Sequence, residues 1–188
     1  MPTIFTHAIV PLAIGLGLGR AKVSRRLLVA GAFASICPDF DVVAFKLGIA
    51  YADAFGHRGA SHSIMFAVLL GLIALLGAPR LQASRGMAFG FVALATASHP
   101  LLDMFTNGGL GVALFWPWSE QRWFFPWQVI EVSPIGVRRV LSERGLVVIW
   151  SELCWVWLPA LLLGLGLWKS RIAATPKTNE CTDTSNST

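Results

Sequence analysis

The chain has 188 residues, of which 55% are hydrophobic and only 13% charged. A soluble domain carries about 25% charged residues, so this composition excludes an ordinary water-covered globule and places the chain in the membrane class. The net charge of +5 comes from basic residues scattered between apolar blocks, a distribution that fits membrane topology and leaves no nucleic-acid partner to expect.

The first apolar stretch, about residues 4–19, has no basic residue before it, and its positive charges follow it in "RAKVSRR". That is the reverse of a secretory signal, so a retained first span with its N-terminus outside is expected. Further apolar segments occupy about 27–37, with a continuation past Pro38 as the alternative, then 62–78, 87–105 and 146–168. A full span needs about 20 residues, which makes the second segment short and the first and third marginal. The expected fold is an all-α, integral membrane bundle of about five apolar helices.

Basic residues orient the bundle. Residues 20–26 carry four, residues 80–85 carry two, and the C-terminal end adds Lys169, Arg171 and Lys177. These connections alternate correctly to share the cytoplasmic side, giving an N-out, C-in topology in a bacterial inner membrane. Residues 106–145 contain "LFWPWSEQRWFFPWQVIEVSP". Indole rings such as Trp116, Trp118, Trp123 and Trp127 suit the headgroup level, so this Trp/Pro-rich loop is expected as a lid or collar on the outer boundary. The division is a membrane-embedded domain over 1–171 and a disordered cytoplasmic tail over 172–188. Cys37, Cys154 and Cys181 show no metal-finger spacing and imply no disulfide framework.

On that topology all four histidines fall at one end of the bundle. His7 opens the first span, "CPDFD" closes the second with Asp39 and Asp41, His57 and His62 precede the third, and "SHPLLDMFT" closes the fourth with His99 and Asp103. Each alone has an ordinary reading: a capping histidine, a Pro-Asp turn, or Ser61 or Ser63 as a helix cap. Together they are ionisable groups converging at a membrane boundary, where such groups are costly and usually functional. Imidazole and carboxylate without thiolate suit a divalent ion, zinc foremost, in a site open to water. His99 and Asp103, four apart, share a helical face, although Pro100 disfavours helix at His99 and the helix is expected to restart there. Seven candidate ligands exceed the needs of one ion. Either some orient the others, or two ions share the site with Asp103 between them. Asp39 or Asp41 would then be a general base, and Arg58 would grip an anionic group such as phosphate.

These motifs, an early His, then "PDFD", "HRGASHS" and "SHPLLDMFTNGG", resemble the inner-membrane, metal-dependent hydrolases called YdjM-like or LexA-regulated. The resemblance spans residues 1 to about 135, and the family's HRGxTHS appears here with Ser61 for threonine. It implies a metal core of His57, His62, His99, Asp103 and the Asp39/Asp41 pair. It also implies a distant similarity to zinc-dependent phospholipase C and single-strand nucleases, although their second HxxxD pair is missing here. The expected function is hydrolysis of a phosphoester or lipid-like substrate at the outer face through metal-activated water, with membrane lipid as partner. Two rivals stay open: a scaffold with a structural metal, and a carrier using the His/Asp cluster, for which Glu152 inside the fifth span would be the key residue. The sequence does not indicate the oligomeric state.

Overall fold

The computed structural model describes residues 1–133 and 142–174. Among these the chain is all-helical, with no strand beyond two isolated β-bridges. Helix α1 runs Ile4–Leu18 and α2 runs Arg25–Ile36. A 3₁₀ segment, Cys37–Val42, and a one-turn helix α3, Val43–Lys46, continue α2. After the loop carrying "GHRGASHS" come α4, Ile64–Leu76, and α5, Arg85–Met104. Helices α6, Glu143–Glu152, and α7, Leu158–Ala173, are joined end to end by a π-helical turn, Leu153–Trp157.

Three of these rods are long and apolar enough to cross a membrane: Arg25–Lys46, Arg85–Met104 and Glu143–Ala173. The second segment is therefore longer than its hydropathy suggested. Pro38 does not stop it, because proline suits the first turn of a helix, where its missing N–H costs nothing. Helices α1 and α4 stay short at 15 and 13 residues, about 22 and 20 Å at 1.5 Å per residue, against a hydrocarbon core of about 30 Å. Large apolar side chains such as Leu16, Val29, Leu76, Leu94 and Leu162 remain exposed along the rods, as lipid-facing positions would.

Small residues set the packing. Phe91 of α5 lies against Gly15 of α1 and Gly31 of α2, with Leu27, Ala34, Ala88 and Val92 completing a dry core. Helices α1 and α7 meet where Gly17 faces Gly164, too close for a Cβ on either. The basic connections gather at one end of the bundle: Ser24 Oγ donates to Leu81 O, Arg26 Nη1 donates to Arg80 O at 3.1 Å, and Arg171 packs over Gly19. All four histidines lie at the other end. Helix α7 continues to Ala173, and residues 175–188, with most of the expected tail and Cys181, fall outside the described residues. Cys37 and Cys154 are both free.

The Trp-rich segment folds back over the histidine end. Bridges pair Thr106 with Ile130 and Val112 with Trp123, while Phe125 N donates to Met104 O at 2.9 Å. Trp118 and Trp127 keep 75% and 74% of their surface, so their rings project outward from this collar, as interfacial aromatics do.

Candidate metal centre

Helix α5 is unbroken through Pro100, so the expected restart does not occur. His99 Nε2 and Asp103 Oδ2 stay on one face, 4.0 Å apart. The second span delivers its aspartates differently. A 3₁₀ turn has 3.0 residues per turn, so side chains two apart diverge by about a third of a turn. Asp39 consequently points into the bundle, 3% exposed, with Oδ1 3.3 Å from His99 Nε2 and 4.0 Å from His62 Nε2. Asp41 turns to the adjoining loop instead.

That loop is held by close backbone contacts. A Cβ on Gly59 would run into the Ala54 carbonyl and come within 2.8 Å of Gly56 O, so this glycine serves approach and not a left-handed turn. The left-handed residue is Arg58, with φ 61°. A non-glycine residue there costs about 1–2 kcal/mol. Its backbone is fixed on both sides: Arg58 N donates to Asp41 Oδ2 at 3.0 Å, and Arg58 O accepts from Ala113 N at 3.0 Å.

The two central histidines have fixed protons. His99 Nδ1 donates to Ser35 O at 2.7 Å. His62 Nδ1 lies 3.1 Å from Asp41 Oδ2 and 3.0 Å from Ser61 Oγ. Both Nε2 atoms therefore face inward, 3.1 Å from each other. His7 stacks on His99 with ring centroids 3.5 Å apart, and its Nε2 is 3.8 Å from Asp103 Oδ1. Both His7 nitrogens and all four carboxylate oxygens of Asp39 and Asp103 are buried without a hydrogen-bond partner.

Two overlapping sets have metal-ligating geometry among the described residues: His7, His99 and Asp103, and Asp39, His62 and His99. The donor chemistry fits a divalent cation. Three carboxylates, Asp39, Asp41 and Asp103, face one guanidinium, Arg58, leaving two negative charges unmatched in a buried place. A +2 ion would satisfy both the charge and the orphaned lone pairs. Because Ser35 occupies His99 Nδ1, only Nε2 is free, and the two sets compete for that one nitrogen.

The other predicted site residues lie one layer out. Asp41 accepts from His57 Nδ1 at 2.5 Å, Ser61 Oγ at 2.7 Å and Arg58 N, and with His62 beside it Oδ2 is fully engaged while Oδ1 is tied to His57. That geometry makes Asp41 an orienting residue and speaks against a general base. His57 is held by Asp41, edge-on to Tyr51 and His62, away from the inner atoms. Arg58 differs most from its expected role. It is fully buried, with Nη1 on Gly108 O at 2.8 Å, Nη2 on Thr106 Oγ1 at 2.9 Å, and Nε 3.0 Å from Asp103 Oδ2, close but off hydrogen-bond alignment. No face is left for an anionic substrate group, so its place is to hold Asp103.

Ser35, Thr106 and Arg122 were not foreseen from the sequence. Ser35 acts through a carbonyl, which every residue has, and nothing in its side chain marks it. Thr106 follows Asp103 by three residues and also donates to the Asp103 carbonyl at 2.7 Å. Arg122 reaches back from the collar to His57 O and Tyr51 O, each at 3.0 Å.

A family model described as "YdjM inner membrane protein" matches residues 1–175. The chain belongs to this family. It is 47% identical over 173 residues to the "Inner membrane protein YbcI" of Escherichia coli strain K12, covering 91% of this chain and 100% of that one. No solved structure matches it. The YdjM membership covers every residue of the cluster, from His7 to Asp103.

Proposed function

We propose that this YdjM-family protein is a membrane-bound, metal-dependent hydrolase that cleaves a phosphoester or lipid-like substrate at the outer face of the inner membrane. The observation that carries this reading is the pair of inward Nε2 atoms of His62 and His99, 3.1 Å apart, with both other nitrogens hydrogen-bonded and six neighbouring buried atoms unpartnered. Either one Nε2 carries a proton and donates to the other, or, with both rings neutral and protonated at Nδ1, a cation between or beside them takes both lone pairs. One ion would be held by His62, His99 and Asp39, with Asp103 and His7 as further candidate ligands; zinc suits this imidazole and carboxylate set.

When bound, such an ion supplies Lewis-acid polarisation of a phosphoryl oxygen and acidifies water. The chain's own residues do the rest. Asp41 and Ser35 hold the histidine tautomers, Arg58 holds Asp103, and the collar keeps bulk water off the cluster. The outward orientation rests on the basic residues gathered at the opposite end.

A structural-metal scaffold is the second reading, favoured by the complete burial of His7, His62, His99 and Asp103. Metal analysis of the purified protein beside a His99→Ala/Asp103→Ala variant is the first test, with near-stoichiometric metal expected only in the parent. Equal, background metal in both would end both readings. A screen of soluble phosphodiesters and phospholipids then separates them, since metal without turnover leaves the scaffold. The carrier reading has less support: three hydrogen bonds from Thr3 and Thr6 tie Glu152 to the start of α1, the arrangement of a fixed clamp.

A further inference from the structure

A groove of about 520 Å³ runs between α1 and α5, walled by Val10, Pro11, Ile14, Gly90, Leu94 and Ser98 among others. On α1, Val10 and Pro11 stand three and four residues after His7; on α5, Ser98 adjoins His99 and the lining residue Ala95 precedes it by four. Residues four apart share a helical face, so the groove ends one turn, about 5.4 Å, from the stacked imidazoles. From Ser98 to Gly86 it follows α5 for about 18 Å, close to one leaflet of a hydrocarbon core about 30 Å thick.

Two glycines in its wall have no packing reason. A Cβ built on Gly86 or Gly90 meets nothing within 4 Å, unlike Gly15, Gly31 or Gly71, where a neighbouring side chain fills the space. A glycine inside a helix costs about 1 kcal/mol against alanine. Here the cost leaves a slot open. Away from the groove, the cluster borders the fully buried Arg58, whose guanidinium lies 3.0 Å from Asp103 and is bonded to Gly108 O.

We infer that the substrate of this site is a membrane phospholipid that enters sideways, one acyl chain lying in the α1/α5 groove and its phosphate drawn toward the cluster. This rests on the metal-hydrolase reading. The occupant is a single lipid chain because the groove is apolar except near Ser98, one leaflet long, cut into a membrane-crossing helix, and ends beside a cluster suited to a phosphate-binding cation.

The test uses the full chain in nanodiscs containing phosphatidylglycerol with a diazirine in one acyl chain. Cross-links should concentrate on Val10, Ile14 and Leu94. Gly90→Leu should reduce them about tenfold, the effect of overfilling a fitted space, while Ala30→Leu, in the separate α2/α4/α5 groove, should leave them unchanged. Gly86→Leu gives an independent block at the far end if Gly90→Leu fails to fold, and it should exclude long chains while sparing short ones. Cross-links spread evenly over all apolar faces, or insensitive to both glycine variants, would mean annular lipid only and overturn the inference. Metal content is measured on the same samples: absent metal with localised cross-links would sink the hydrolase reading and leave the lipid groove standing.

Discussion

Among the described residues two buried carboxylate clusters share this bundle, and they differ in one respect. Glu152, at the π-helical turn, accepts from Thr3 N, Thr3 Oγ1 and Thr6 Oγ1 at 2.5, 2.7 and 2.6 Å, and Trp157 Nε1 donates to Thr6 Oγ1 at 2.8 Å. Asp39 and Asp103 are just as buried, yet none of their carboxylate oxygens has a hydrogen-bond partner. Both sets are carboxyl groups kept from water, so burial does not separate them. Satisfaction does: the Glu152 cluster is a clamp anchoring α1 to α6, and the histidine cluster keeps bare lone pairs with the geometry to hold a cation.

The sharpest attempt to break this contrast is His99→Ala with Asp103→Ala, which should reduce bound metal to background by elemental analysis. Unchanged metal content would show that the inner atoms are not ligands. Next, Asp41→Asn should weaken metal binding by about 10–100-fold, as loss of an orienting carboxylate does, read by competition with a chromophoric chelator. An effect no larger than that of a surface substitution would remove Asp41 from its orienting role. Glu152→Ala should behave the opposite way. It strands buried donors and should cost about 1–3 kcal/mol of stability, seen as a lower melting temperature, with metal stoichiometry kept. Loss of metal at unchanged stability would place Glu152 in the wrong cluster. The smallest effect is expected for Ser63→Ala, which removes the α4 cap made to Phe66 N at 3.1 Å; it should cost about 1 kcal/mol and leave metal affinity alone.

Much of this was legible in the residues. Hydropathy marks all five rods, and the alternation of basic connections predicts the shared end now seen for Ser24, Arg26, Arg80 and Arg171. Ser63 could be read as a cap, and the convergence of His7, His62, His99 and Asp103 followed from helix ends alone. Other features were not legible. Asp39 and Asp41 look equivalent in "PDFD", and only the 3₁₀ geometry of Cys37–Val42 sends one inward and the other to the loop. Arg58 looks like a free cation until its φ of 61° and its partners Gly108 and Thr106 are known.

By itself, then, the sequence determined which residues reach the same end of a membrane bundle. Apolar segments must cross and polar ones must stop at a boundary, and that constraint acts locally along the chain. Only the tertiary structure decided which polar atoms are satisfied and which are left bare. Hydrogen-bond partners come from residues distant in sequence: Ser35 for His99 and Thr3 for Glu152 lie 64 and 149 positions away. A lone pair without a partner is a property of packing, and no local pattern records it.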